Sequence, residues 1–193
     1  MSALPKTKWT TEEYLAFERQ SEIKHEFLNG EIYAMTGASR NHNIIAGNTI
    51  ASLHSQLRKQ PCEIYPSDMR VRVSATHYTY PDIIVVCGEP HYDQDMGDNL
   101  LNPTIIIEVL SPSTESYDRG EKFRSYRRLD SLQEYVLIAQ DRYLIEHYVR
   151  QSTGQWLLSD AAQPEDVVVL PSINCTLLLS DVYEKVTFEE AEE

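Results

Sequence analysis

Two runs of β-branched residues constrain this chain more than any other feature: PDIIVVCG at 81–88 and TIIIEVL at 104–110. Val and Ile are stiff at χ1 and pack well on a pleated surface, so short unbroken runs of them read as strands covered on both faces. Strands of that kind belong at the centre of a sheet. A carboxylate is costly to bury there, yet Asp82 opens the first run and Glu108 stands inside the second, after three isoleucines.

If the two strands pair antiparallel, the start of the first lies beside the end of the second, and Asp82 falls opposite the neighbourhood of Glu108. Two carboxylates forced together on apolar strands repel, so one takes up a proton unless a cation sits between them. Hard oxygen donors with no His or Cys cluster beside them suit Mg²⁺, with Mn²⁺ as substitute, better than Zn²⁺.

The remaining pattern surrounds these strands with helices and hairpins. Thr10 stands three residues before Glu13, a capping box that starts a helix over TTEEYLAFERQ (10–20). HEFLNGEIYAMTG alternates on both sides of Asn29-Gly30, a two-residue hairpin turn, and puts Glu26 on the first arm. Ile44, Ile45, Leu53 and Leu57 recur at helical intervals over 41–59, and MRVRVS alternates as a strand should. Asp118, three residues before Glu121, reads as the cap of a helix with Phe123, Tyr126 and Leu129 as its apolar stripe. EYVLIA and LIEHYVR follow as strands, and short strands at QWLLS, DVVVLP and CTLLL finish the sheet. The expectation is one α/β domain over 1–193, a mixed central β-sheet flanked by α-helices.

Charge limits what such a domain can bind. With 17 basic against 30 acidic residues, a net charge of −13, a broad nonspecific nucleic-acid surface is excluded, because that binding runs on Lys and Arg displacing phosphate counterions. The acid concentrates in EPHYDQDMGD (89–98) and in the tail FEEAEE, expected to be frayed, while RGEKFRSYRR (119–128) carries five bases against one acid. Arg119 and Arg124, nearest Lys122, are the candidate phosphate contacts, with His42 beside them. No apolar run is long enough to span a bilayer and the N-terminus lacks a secretory pattern, so no membrane partner and a cytoplasmic location are expected. Cys62, Cys87 and Cys175, odd in number and far apart, are expected as reduced, partly buried thiols.

Lys122 lies four and seven residues before Tyr126 and Leu129, at the border of the buried stripe, where its ammonium could reach back to the carboxylates. Asp82 and Glu108 with a divalent metal, and Lys122 to steady the attacking water or the developing charge, form a set able to hydrolyse a phosphodiester. Glu26 could add a third acid. Ser111, Ser113 and Thr114 have no His–acid pair of triad type and read as the turn after the strand.

The order and spacing of HEFLNGEIYAMTGAS followed by His42, then YPDIIVV, NPTIIIEVLSPST and DRGEKFRSYRRLDSLQEYVLI, resemble the Uma2 family of the PD-(D/E)XK nuclease superfamily over nearly the whole chain. The resemblance implies a restriction-endonuclease-like fold and Mg²⁺-dependent cleavage of DNA. It also implies Asp82 and Glu108 as metal ligands, Glu26 as the N-terminal acid, and a homodimer where both strands are cut. The superfamily lysine normally stands two positions after the strand glutamate, where this chain has Leu110, so Lys122 looks like its migrated counterpart. The rival readings are a noncatalytic module binding DNA or protein on the same fold, and a phosphohydrolase of small phosphate esters.

Overall fold

The computed structural model describes residues 8–93 and 99–188; residues 94–98 of the acidic stretch and 189–193 of the acidic tail lie outside the described residues. Thr10 caps α1 (Thr11–Glu18) as anticipated: its hydroxyl accepts Glu13 N–H at 3.2 Å, and the Glu13 carboxylate accepts Thr10 N–H at 3.0 Å. The hairpin of β1 (His25–Leu28) and β2 (Glu31–Ala34) closes through Asn29 and Gly30 at φ 50° and 94°, left-handed positions that Asn and Gly tolerate best. Helix α2 (Arg40–Leu57) follows, capped by Ser39.

Two sheets carry the fold. The larger contains β3 (Cys62–Pro66), β6 (Ile83–Cys87), β8 (Ile105–Leu110), β9 (Glu134–Ala139), β10 (Ile145–Arg150) and β11 (Trp156–Ala161), in the order β11-β10-β9-β8-β6-β3. Only β8 and β9 run parallel in it, so the central sheet is mixed, as expected. The smaller sheet joins the hairpin to β4 (Arg70–Ser74), β5 (His77–Thr79) and β7 (Asn99–Leu100), in the order β2-β1-β5-β4-β7. Of the short strands expected to finish the sheet, only β11 (QWLLS) joins it; β12 (Val167–Leu170) and β13 (Cys175–Leu178) pair with each other as a separate two-stranded sheet, because their backbone partners are one another, and the short helix α5 (Leu179–Val182) follows. No helix among the described residues is long and apolar enough to cross a membrane.

The two β-branched runs are buried on both faces, and period-2 alternation divides them between two cores. Ile83, Val85, Ile105 and Ile107 pack on Ile45, Leu53 and Leu57 of α2. On the other face Ile106 and Leu110 meet Tyr126 and Tyr135, while Ile84 and Val86 meet Val71 and Leu100 of the smaller sheet. This arrangement is an α/β fold with a restriction-endonuclease-like core.

Two further sequence expectations need correction. The helix expected to start at Asp118 starts earlier, as α3 (Glu115–Tyr117), and passes through a π-helical turn at Asp118–Lys122 into α4 (Phe123–Tyr126). Asp118 is therefore inside the helix and buried instead of capping it. The Tyr135 hydroxyl donates to the Asp118 carbonyl at 3.0 Å, a side chain entering the helical ladder where the ladder widens. The second correction concerns the cysteines. Cys62 and Cys87 face each other across β3 and β6 and form a disulfide, while Cys175 remains a buried thiol. Their separation of 25 residues gives no hint of pairing until strand register brings them together. Closing a loop of that size is expected to contribute about 3 kcal/mol, so Cys62→Ser should lower the urea midpoint, and a reductant should do the same to the wild type only.

His77 on β5 is 4% exposed, and burial, helped by the Lys122 charge, pushes its imidazole down to about 4. The unfolded chain therefore binds a proton between about 6.5 and about 4 that the folded chain refuses. Stability from this group is complete above pH 6.5 and falls with pH through that window, by roughly 3 kcal/mol in all. Urea midpoints at pH 7 and pH 4.5 should converge in His77→Phe relative to the wild type; an equally steep acid loss in both would assign it to other groups.

Candidate active site

The register Ile83↔Ile107, continued by one position, sets Asp82 across from Glu108 at the end of the paired strands. Asp82 N–H points at Glu108 Oε2 over 3.4 Å, and Val109 N–H donates to Asp82 Oδ2 at 2.8 Å. The first turn of α2 adds His42, whose Nε2 lies 3.1 Å from the same Asp82 oxygen. Its place is set by the Ser39 cap, which accepts His42 N–H at 3.1 Å. The smaller sheet contributes Glu26 from β1, held where Tyr80 N–H donates to its Oε1 at 3.3 Å. The other oxygen, Glu26 Oε2, is buried without a hydrogen-bond partner.

Lys122 joins the two sheets. From the π-helical turn its Nζ reaches Glu108 Oε1 at 2.9 Å, and Glu26 Oε1 and Asp118 Oδ1 at 3.4 Å each. The Tyr126 hydroxyl, one turn on, donates to Glu108 Oε1 at 3.0 Å and lies 2.9 Å from the Thr79 hydroxyl. Glu26, Glu108, Asp118 and Lys122 are all buried, and with Asp82 and His42 they are among the residues lining a cleft of about 830 Å³.

A single ammonium among so many carboxyls decides the electrostatics. Burial pushes Glu108 well above the usual carboxylate range; Lys122 opposes that, and Asp118 and Asp82 reinforce it. Asp118 is raised too, first by burial. For Lys122, burial works against the charge, but Glu108, Glu26 and Asp118 outweigh it and raise the amine well above its ordinary value. The two directions agree physically: the cluster carries more acid than one ammonium can neutralise, so the lysine stays charged while Glu108 and Asp118 hold their protons to higher pH.

Asp82, Glu108, Lys122, Glu26 and His42 thus come together. Arg119 and Arg124 do not enter the cleft: Arg119 is paired with Glu115 at 2.9 Å and with Glu146, and Arg124 is exposed. Leu110, where the superfamily lysine would stand, is 3% exposed in the apolar cluster with Ile106, Tyr126 and Tyr135. Two site residues escaped the sequence reading, Asp118 as a presumed cap and Tyr126 as plain core. The spacing of Asp118 to Lys122, four residues on one helix, was the available signal for the first. Among the described residues, no group of three or more His, Cys, Asp or Glu side chains is placed to hold a metal ion.

The Uma2 family model, described as "Putative restriction endonuclease", matches residues 11–180. Two proteins of Synechocystis sp. are similar over most of the chain. "Uncharacterized protein slr1290" is 37% identical over 185 residues, covering 95% of this chain and 96% of its own length. "Uncharacterized protein sll1609" is 40% identical over 152 residues, covering 78% and 86%. The fold is also that of a crystal structure from Anabaena variabilis described as a "putative nuclease belonging to DUF820", with a TM-score of 0.76 at 19% identity over 92% of this chain and 99% of that one. With a family model spanning both sheets and the whole cleft, and a relative 37% identical over 95% of the chain, the chain belongs to the Uma2 family.

Proposed function

We propose that this chain is a Mg²⁺-dependent endonuclease hydrolysing DNA phosphodiester bonds. One observation carries the reading: Lys122 Nζ stands 2.9 Å from Glu108, at the strand end where Asp82 faces that same carboxyl. Apolar strands hold acid, acid and ammonium rigid, which is the preorganisation that charge stabilisation requires.

The donor set suits the cation proposed. Mg²⁺ needs only one or two carboxylates when waters and a substrate phosphate supply the rest, so the pair Asp82 and Glu108 fits it without a three-residue cage. Glu26 also lines the cleft, and its Oε2 is buried without a hydrogen-bond partner, a further acidic oxygen beside the set. Bound there, a divalent cation supplies positive charge against the phosphoryl oxygens and makes water more acidic. Asp82 is oriented by Val109 N–H and His42, and Glu108 by Tyr126. Lys122 lies where it can offset negative charge developing on the phosphate or steady the attacking water. His42 lines the cleft with its Nε2 on Asp82, so it would act on substrate beside that carboxyl, whereas Arg119 and Arg124 would act only on DNA reaching past the cleft.

Supercoiled plasmid incubated with the purified protein and Mg²⁺ or Mn²⁺ tests the reading. Nicked and then linear product is expected, with none from Asp82→Ala; linear product arising together with nicked circles would indicate the homodimer expected of an enzyme that cuts both strands. A second reading has support in the charge of the cleft: Glu22 and Asp68 join the four carboxyls already described, against only Lys24 and Lys122. That balance favours a small phosphate ester over a long duplex backbone. Intact plasmid together with metal-dependent hydrolysis of bis(p-nitrophenyl) phosphate would select it.

A further inference from the structure

Lys122 has three acidic neighbours, and only one of them, Glu108, is needed as a metal ligand in the function proposed above, on which this inference rests. If Glu108 alone held the ammonium, metal binding would remove the partner that positions it. Asp118 and Glu26 solve that problem from opposite sides. The π-helical turn winds wider than an α-helix, so side chains four apart come closer into line, and Asp118 Oδ1 lies 3.4 Å from Lys122 Nζ within the turn. Tyr135 fixes the wide turn through the Asp118 carbonyl. Glu26 Oε1 meets the ammonium from the smaller sheet at the same distance, 3.4 Å, anchored by Tyr80 N–H.

We infer that Asp118, set by the π-helical turn, is a positioning residue which, with Glu26, keeps the Lys122 ammonium in the active site when Glu108 turns to the metal. Asp118 is 3% exposed; a side-chain hydrogen bond from Thr114 orients its carboxyl, and Lys122 is its one ion-pair partner among the described residues. The arrangement also explains how a lysine displaced from the strand can serve: the helix that carries it brings its own counter-ion, whereas a lysine at Leu110 would have to borrow one.

Nitrogen-15 NMR of the lysine side chains tests this without any assumption about activity. A buried, paired ammonium exchanges slowly and gives an observable Nζ signal. The Lys122 signal is expected to persist in Glu108→Gln and in Glu121→Gln, an exposed helix carboxylate that matches the charge change, and to be lost only when Glu26→Gln and Asp118→Asn are added to Glu108→Gln, since Glu108 at 2.9 Å would otherwise still pair the ammonium. Loss in Glu108→Gln alone, or persistence in the triple variant, overturns the inference. In DNA cleavage, Asp118→Asn is expected to lower the single-turnover rate about 10- to 100-fold, with DNA and Mn²⁺ affinity within about twofold and partial recovery in Asp118→Glu. A rate equal to that of Glu121→Gln counts against it. If the wild type cleaves no DNA, the nuclease reading fails, and the NMR comparison still decides whether Asp118 and Glu26 hold the lysine.

Discussion

Replacing Asp82 by alanine is expected to abolish cleavage, by about 10³-fold or more, while the protein stays folded. The residue is 15% exposed on its side chain, so its removal leaves no deep cavity, and the strands it terminates keep their apolar partners. What disappears is one half of the proposed metal site, together with the acceptor for Val109 N–H and His42. Glu108→Gln should give the same loss of activity by a different route. It preserves volume and removes the charge that opposes Asp82, so Mn²⁺ affinity measured by calorimetry should fall with the rate. Undiminished metal-dependent cleavage by either purified variant would falsify the assignment of these carboxyls.

Lys122→Met should have the second large effect, and it has two parts. In cleavage, the rate is expected to drop about 10²–10³-fold with DNA affinity within about threefold, because a single buried ammonium contributes little to the salt-dependent binding of a backbone. Equal losses of rate and affinity would make Lys122 a binding residue instead. In stability, the variant leaves Glu26, Glu108 and Asp118 buried without their cation, a change that costs about 3–5 kcal/mol at neutral pH. The sign of its pH dependence follows from the carboxyls. Glu108 and Asp118 already have raised values, so the folded state holds protons that the unfolded state releases, and stability rises as pH falls through that range. The variant should therefore regain much of its loss between neutral pH and the ordinary carboxylate range. The wild-type lysine contributes in the opposite window: its raised value gives stability that is complete below about 10.5 and is lost only as pH climbs through the higher folded value. Urea midpoints of both proteins from pH 5 to pH 9 test the carboxyl slope, and those of the wild type above about pH 10.5 test the lysine's.

The legible part of the protein was the part governed by local rules. Capping at Thr10, the Asn29-Gly30 turn and the two β-branched runs each carry their conformation in a few adjacent residues, and each appears where the sequence puts it. Antiparallel pairing of those runs followed from the same pattern, and with it the approach of Asp82 to Glu108. Lys122 was legible because its helix had a readable apolar face.

Tertiary structure decided what depends on residues far apart in the chain. The Cys62–Cys87 disulfide exists only through strand register, and the pairing of Arg119, an expected phosphate contact, with Glu146 on β10 depends on a strand distant in sequence. Asp118 carries the sequence signature of a cap, yet Tyr135 on β9 takes its carbonyl and the helix widens around it. The sequence by itself determined the central sheet and the carboxylates embedded in it, since pattern and propensity act over a few residues. Which cation, which third acid and which neighbours stand around those carboxylates was decided by the packing of one sheet against another, where a few ångströms separate a structural ion pair from an active site.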